Sequence, residues 1–559
     1  MTSDKKNVHL LAELFVKKGL SDIIISPGSR NAPIMIAFAG KPGVRALSIV
    51  DERSAAFFAL GMAQQSGKTV AIACTSGSAA LNYAPAIAEA YYRKVPLLVL
   101  TADRPPELID RGYGQTIRQR DVYQNYIKAG FELPVEIEDE ETLKEAERTI
   151  NEAINLTQFP EPGPVHINIP FREPLYGTMQ EVFDPEVTDF EGPEKEVQQF
   201  ISELAEAWNK HTKVMIIAGQ QNRDEQLNNL LAKFVTDKKT VLLTETTSNL
   251  YHEKFIDCID NVVSTIKEEP AAYQPELLIT FGGQVVSKMV KKFLKDHPPV
   301  GHWHISPSGE WMDTYFKLKK VIPAQPAAVF EALWPLITEK PDDFAAVWQE
   351  RKAKVVAKKE QYLQQIPFSD LKVFEFLLAS LPENINLHLG NSTPVRYSQL
   401  FGSDPRFHYF SNRGVSGIDG QISTAAGTAF VSNRLNILIT GDLGFFYDSN
   451  GLMNKYLKPD FKIIVINNGG GGIFRFIDGP STTEHLEEFF EARHNWKAEK
   501  IAEAFEVKYF RAEDQEQLQQ NFTRWIAEQS GPALLEIFTP AEKNAEILLA
   551  YFRFLKSNG

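Results

Sequence analysis

Short apolar runs of strand length recur along the chain and alternate with longer segments of helical periodicity. They read DIIIS (22–26), TVAIAC (69–74), PLLVLTA (96–102) and VHINIP (165–170), then KVMIIAG (213–219), TVLLTE (240–245), ELLITFGG (276–283) and VGHWHISP (300–307), then INLHLG (385–390), LNILITGD (435–442) and FKIIVINN (461–468). A strand that is apolar on both faces must be covered on both, and helices running between consecutive strands do this for a parallel sheet. The fold class is therefore α/β with parallel sheets. The runs fall into three blocks, and 559 residues at roughly 150 per domain allow three to four domains. Residues 177–198 are acidic, aperiodic and punctuated by Pro and Gly, which is how an inter-domain linker reads, and a charged helical stretch at 347–365 leads into the third block. The expected domains are 1–180, 195–345 and 355–559.

The first and third blocks share a layout. In one, Asp51-Glu52-Arg53 opens a helix of small residues before the strands ending at Thr75 and Thr101, 26 residues apart; in the other, Asn412-Arg413-Gly414 precedes an Ala/Gly-rich helix and strands ending at Thr440 and Asn467, 27 apart. Two related domains flanking a third is the arrangement this register supports.

A net charge of −13 argues against a nucleic-acid or anionic-membrane surface, so a cationic cluster in this chain is expected to face small anions. Two cysteines, Cys74 and Cys258, give neither a disulfide framework nor a Cys-based metal site, which fits a reducing cytoplasm. At the N-terminus Leu10, Leu11, Leu14 and Phe15 recur at helical spacing between charges, an amphipathic helix rather than a signal peptide. No run reaches the roughly 18 apolar residues of a membrane span, so no integral membrane segment is expected.

The strongest chemical signal is Gly441-Asp442 at the end of one apolar run and Asn467-Asn468 at the end of the next, with 26 residues from Asp442 to Asn468. In a parallel sheet both ends open on the carboxyl edge, where α/β proteins bind ligands. A carboxylate, an amide oxygen and a backbone carbonyl are hard oxygen ligands suited to Mg²⁺. The glycines 469–472 let backbone N–H groups approach phosphate oxygens. Taken alone, two ordinary strand–turn junctions would look the same.

This spacing resembles the GDG…NN signature of thiamine diphosphate-dependent enzymes, with Leu443 where many members carry a second Gly. The resemblance implies three parallel-sheet domains of the decarboxylase type: a pyrimidine-binding first domain, a central domain and a diphosphate-binding third. It implies thiamine diphosphate as cofactor, contacted by Gly441, Asp442, Leu443, Asn468, Gly470 and Ile473, with Mg²⁺, or Mn²⁺ in its place, on Asp442, Asn468 and the Gly470 carbonyl. Glu52, at the end of the apolar run in IVDERSAAFFALG, takes the family's role of hydrogen-bonding N1′ of the aminopyrimidine, for which a carboxyl buried among apolar groups is expected. Ile418 in GVSGIDG matches the bulky residue that props the bent cofactor.

Longer strings, SPGSRNAP (26–33), TSGSAALNYAPAIAEAYY (75–92), LTADRPPELIDRGYGQTIRQ (100–119), NRGVSGIDG (412–420) and GDLGFFYDSNGL (441–452), resemble the branch of that family that acts in menaquinone biosynthesis. The resemblance runs through the first and third blocks and is thin in the middle one. It implies decarboxylation of 2-oxoglutarate and 1,4-addition of the succinyl unit to isochorismate. Both substrates carry carboxylates, which guanidinium forks recognise bidentately. Arg30, Arg104, Arg396 and Arg413 each sit in a turn or just beyond an apolar run, Ser29, Gln115 and Ser392 add neutral hydrogen bonds, and Lys288 is the middle block's cation, followed by Met289 where relatives can carry a second one. Ile473 and Phe474 match an apolar pocket wall. Catalytic duty is expected of Glu52, Arg30, Gln115, Arg396 and Arg413. The same resemblance implies a homodimer or homotetramer with active sites at subunit interfaces. Two alternatives stay open: a related carboligase with a small neutral acceptor, which needs fewer arginines, and a non-catalytic ligand-binding protein that has kept the fold.

Three lookalike motifs are set aside. Gly61 to Thr69 resembles a phosphate-binding P-loop but has five residues between its glycines and runs from helix into strand. His302 and His304 share a strand face without a third ligand nearby and read as structural histidines. Gly282-Gly283 lacks a dinucleotide fingerprint.

Overall fold

The computed structural model describes residues 1–180, 183–190, 198–338, 342–476 and 479–557. Each block forms one parallel sheet. The first is ordered Arg45–Ser48, Asp22–Ile25, Val70–Cys74, Leu97–Asp103, Val165–Pro170, Gly130–Glu132, and the third Phe407–Phe410, Ile385–Leu389, Asn436–Gly441, Phe461–Asn467, Ala533–Phe538, Lys508–Ala512. Numbered by chain order within each sheet, both run 2-1-3-4-6-5, so the likeness of layout read from the two stretches of sequence extends to their topology. The middle sheet runs Thr240–Thr244, Val214–Ala218, Leu277–Phe281, Gly301–Ile305, Leu318–Ile322.

Five strands that the apolar runs do not mark lie at sheet edges: Arg45–Ser48, Gly130–Glu132, Leu318–Ile322, Phe407–Phe410 and Lys508–Ala512. An edge strand has one neighbour and more exposed flanks, so its composition carries less of the signal. The inner strand Ala533–Phe538 also escapes that reading; its buried Glu536 accepts hydrogen bonds from Asn467 Nδ2 at 2.7 Å and Tyr509 Oη at 2.7 Å.

The first and third units meet through equivalent helices. Glu52–Ser66 starts where the Asp51 side chain accepts from Ser54 N at 3.0 Å and ends at Gly67, φ 68°. Gln421–Val431 follows Gly420, φ 70°. Both are rich in Ala, and the backbones touch: a Cβ on Gly61 would lie 2.0 Å from the Thr424 carbonyl oxygen, and one on Gly427 1.9 Å from that of Phe58. Gly61 is therefore a helix-packing residue, as rejection of the P-loop requires. Around this contact Phe58, Ile72, Ile422, Leu438 and Ile463 belong to one continuous buried cluster.

The acidic stretch 177–198 is not slack where it is described. Thr178–Met179 pairs antiparallel with Thr2–Ser3, and Lys18 Nζ donates to Thr188 O at 2.8 Å and Asp189 Oδ1 at 2.9 Å. Asn155 Nδ2 holds Thr188 O as well, at 2.8 Å, so residues 183–190 lie along the first unit as a strap. The remainder of that stretch, 181–182 and 191–197, lies outside the described residues.

Candidate active site

Gly441 pairs with Ile466 in the register of adjacent strands, which sets Asp442 and Asn468 side by side at the carboxyl edge of the third sheet. The switch point of that sheet lies next to them, between Ile385–Leu389 and Asn436–Gly441. Asp442 is buried; its Oδ2 accepts from Gly469 N at 2.8 Å and Gly470 N at 2.9 Å, and Leu443 N donates to Oδ1 at 2.6 Å. Gly470 has φ 146°, and a Cβ there would sit 2.6 Å from the Glu491 carbonyl oxygen, so the turn requires glycine. Asn468 donates Nδ2 to Asp370 Oδ2 at 3.1 Å. Among the described residues no donor meets Asn468 Oδ1. His494 stands over the same corner, its Nε2 3.5 Å from Asp442 Oδ2 and its ring stacked on Trp496 at 4.5 Å.

Ile473 is buried, and Phe474 beside it is half-buried against Phe490 at 5.7 Å between ring centroids. Ser392 opens the helix Thr393–Phe401 with φ 75°, a strained setting for a residue with a Cβ. Arg396 lies one turn on. Arg413 and half-buried Ile418 belong to the loop after Phe407–Phe410.

Arg396 and Arg413 come together with three groups from the middle unit: Glu245, Asp260 and Lys291. Glu245 ends the strand Thr240–Thr244 and accepts from Val286 N and Ser287 N, both at 2.7 Å; burial pushes its carboxyl up to about 7. Burial raises Asp260 too, while the Ser287 hydroxyl that donates to it and the charge of Arg396 pull the other way. Burial lowers Arg396, Arg413 and Lys291, the last also within the fields of Glu245, Arg413 and Arg396. Arg413 Nη1 donates to Asn391 Oδ1 at 2.8 Å, but Nε of both arginines is buried without a partner. Buried guanidinium donors without acceptors make a ready carboxylate site.

Lys288, the cation expected from the middle unit, is the exposed first residue of the helix Lys288–Asp296, whereas Lys291, three residues on, is half-buried within the arginine cluster.

The first sheet presents a second carboxyl edge. Arg30 is buried and donates to Phe171 O at 3.2 Å and Glu173 Oε1 at 3.1 Å. Gly28 beside it has no room for a side chain, since a Cβ would fall 2.3 Å from that of Thr75. Arg104 donates Nη2 to Gly114 O at 3.0 Å, and the carbonyl of Gln115 accepts from Ser76 Oγ at 2.9 Å. Ser29 and Gln115 are exposed. Glu52 differs from expectation: it is half-buried rather than enclosed, and Asn82 Nδ2 reaches its Oε2 at 3.3 Å. The reason is its position at the exposed start of a helix whose buried face begins at Ser54. Among the described residues no hydrogen bond or ion pair joins Glu52, Arg30, Arg104 or Gln115 to Asp442 or Asn468.

Sequence reading missed Glu245, Asp260, Lys291, Asp370 and Gln119. Glu245 carries a usable signal, an acid closing an apolar strand as Asp442 does. Gln119 is buried, takes Gly77 N at 2.9 Å and donates to Ala102 O at 3.1 Å, and nothing local distinguishes it from a surface glutamine. His302 Nε2 and His304 Nδ1 both meet Thr280 Oγ1, at 2.8 and 2.9 Å, and burial lowers each to about 4, which makes them structural neutral histidines.

Comparison with known families matches residues 5–123 to the thiamine pyrophosphate enzyme N-terminal TPP binding domain, 191–389 to the middle domain of thiamine pyrophosphate enzymes and 390–537 to the C-terminal TPP binding domain. A 2-succinyl-5-enolpyruvyl-6-hydroxy-3-cyclohexene-1-carboxylate synthase of Flavobacterium johnsoniae is 44% identical over 98% of both chains. Proteins of the same name from Christiangramia forsetii (43%, over 97% of this chain and 98% of the relative) and Porphyromonas gingivalis (39%, over 99% and 98%) are also similar.

Proposed function

Because the chain belongs to the thiamine diphosphate-dependent enzymes, in the branch of the 2-succinyl-5-enolpyruvyl-6-hydroxy-3-cyclohexene-1-carboxylate synthases, we propose that its two carboxyl edges divide that branch's reaction between them. The enzyme releases CO₂ from 2-oxoglutarate and adds the succinyl unit to isochorismate in menaquinone biosynthesis. Thiamine diphosphate, when bound, supplies the electron sink that lets a 2-oxo acid lose CO₂.

The third sheet's edge fits the diphosphate and its cation. Gly470 tolerates no side chain, the Gly469 and Gly470 N–H groups converge on one anionic oxygen, and Asn468 keeps Oδ1 for a ligand. Asp442, Asn468 Oδ1 and the Gly470 carbonyl would hold Mg²⁺ or Mn²⁺, with Gly441, Leu443 and Ile473 lining the cofactor and Ile418 supporting it. Glu52 would hold the proton at N1′ of the aminopyrimidine. Arg396 and Arg413, with Ser392 and Phe474, would bind and orient carboxylates in a site from which burial excludes water. Arg30, Arg104, Ser29 and Gln115 would serve from the first sheet, and Lys288 from the middle one. The observation that carries this reading is the pair of buried, unpartnered Nε donors of Arg396 and Arg413, in segments that follow strands of the sheet whose carboxyl edge holds Asp442 and Asn468.

A homodimer, or a homotetramer built from it, would complete the site by bringing Glu52 of one subunit to Asp442 of another. Half-buried Glu52 and exposed Asn82 are flanked by the exposed apolar side chains of Val50 and Leu81, which supports an interface there. No helix among the described residues is long and apolar enough to cross a membrane. Cys74 and Cys258 are buried free thiols, in keeping with reaction in the cytoplasm.

The test measures CO₂ release and product formation from 2-oxoglutarate with thiamine diphosphate and Mg²⁺, with and without isochorismate, beside Glu52→Gln. Product that needs isochorismate and disappears in the variant is the expected result. CO₂ release with isochorismate ignored would overturn the acceptor, and cofactor binding without turnover would overturn catalysis.

A further inference from the structure

Glu89 lies in the helix Ala84–Arg93 of the first unit and is 1% exposed. Its carboxylate lies in the field of Arg93 on its own helix, but both its oxygens are hydrogen-bonded by another unit. Gly414 N donates to Oε1 and Val415 N to Oε2, each at 2.8 Å, so one side chain of the first unit takes two consecutive N–H groups of the third unit's loop. The approach is close: a Cβ on Gly414 would lie 2.7 Å from the Glu89 carbonyl oxygen and 3.0 Å from Arg93 Cγ. Burying a carboxylate costs free energy unless its oxygens are hydrogen-bonded, and here both are.

The loop so held runs directly from Arg413 to Ile418. Its other ties come from different directions. Gln284 Nε2 donates to Gly414 O at 2.6 Å and Gln220 Nε2 to Ser411 O at 2.7 Å, both from the middle unit. Asn391 Nδ2 reaches Asn412 O and Gly417 O, both at 2.6 Å, while Asn391 Oδ1 receives Arg413 Nη1. Ser416 stands at φ 61°, a conformation that persists only where its surroundings enforce it. Of these partners only Glu89 fixes the two peptide N–H groups that follow Arg413, and those peptides set where the guanidinium can point.

We propose that Glu89 is a positioning residue for the synthase reaction, clamping Gly414 and Val415 so that Arg413 and Ile418 are presented from one rigid loop. The proposal rests on the functional reading above. Glu89 touches neither substrate nor cofactor. It aims the residues that do, and it makes the first unit's helix part of the third unit's site.

The experiment uses the full chain with thiamine diphosphate and Mg²⁺, and compares the parent with Glu89→Gln by the KM for each substrate, kcat and thermal midpoint. Glutamine has one acceptor and one NH₂, so one of the two loop N–H groups faces a donor. The KM for 2-oxoglutarate or for isochorismate is expected to rise about tenfold or more, the size of one hydrogen bond to a charged group, with Glu89→Asp, which keeps two acceptor oxygens, recovering part of the loss. Unchanged KM values for both substrates, or a lowered thermal midpoint with unchanged KM, would overturn the proposal. Should Glu89→Gln fail to fold, Gly414→Ala disturbs the same contact from the loop side and must raise the same KM; a parent-like KM there overturns the proposal too. If the parent forms no product, the functional reading falls and this proposal with it, an outcome distinct from an active parent beside a parent-like variant.

Discussion

Asn468 gives its amide nitrogen to Asp370 Oδ2 at 3.1 Å, and this bond decides which end of the amide the carboxyl edge presents. Asp370 is fixed in turn, its backbone N donating to Asn544 Oδ1 at 2.8 Å and its Oδ1 accepting from Thr539 Oγ1 at 2.5 Å. Groups behind a metal ligand set its orientation, and removing them lowers metal affinity by about 10–100-fold. Asp370→Ala is expected to weaken Mg²⁺ binding by that factor, read by titrating Mg²⁺ into enzyme with thiamine diphosphate and following tryptophan fluorescence. Parent-like Mg²⁺ affinity would refute the orienting role.

Gly427 tests the contact between the first and third units. Alanine favours a helix over glycine by about 1 kcal/mol, yet its Cβ would stand 1.9 Å from the Phe58 carbonyl oxygen. Overpacking should win, with Gly427→Ala destabilising the chain by about 2 kcal/mol or more. Urea unfolding measures it, and a stabilised variant would show that the helices separate freely.

Arg413→Lys keeps the charge and loses the fork that can hold a carboxylate by two bonds. We expect kcat/KM for at least one carboxylate substrate to fall about 10–100-fold. Lys291→Met should lower it by about tenfold, through loss of a cation placed among Arg396, Arg413 and Glu245. Wild-type kinetics for Lys291→Met would leave Lys288 alone as the middle unit's cation.

Asp448 gives a pH signature. It is fully buried, accepts from Ser423 N at 2.8 Å and Ser423 Oγ at 3.0 Å, and burial pushes its carboxyl from 3.8 up to about 7 against those bonds. Between these values the folded chain keeps a proton that the unfolded chain releases, so this group's contribution to stability falls as pH rises through the window. Asp448→Asn should make the unfolding free energy fall less steeply with pH there. Identical slopes in variant and parent would count against the assignment.

Local pattern is enough for the α/β class, because strands apolar on both faces leave only a covered parallel sheet. It also determined the Asp442–Asn468 pair, since both residues sit at fixed offsets from strand ends and adjacent parallel strands bring their ends together. Five edge strands stayed unread because their flanks are more exposed, whereas Thr240–Thr244, an edge strand buried along its whole length, is legible as TVLLTE. Tertiary packing set the rest: Glu89 of the first unit on Gly414 and Val415 of the third, Asp370 on Asn468 within the third, and Lys291 of the middle unit in the field of the arginines. Each partner lies tens to hundreds of residues away in the chain, and local pattern records only whether a side chain is apolar, charged or turn-forming. Which charge meets which is fixed by how the sheets stack, and burial then gives those few polar contacts their energetic weight.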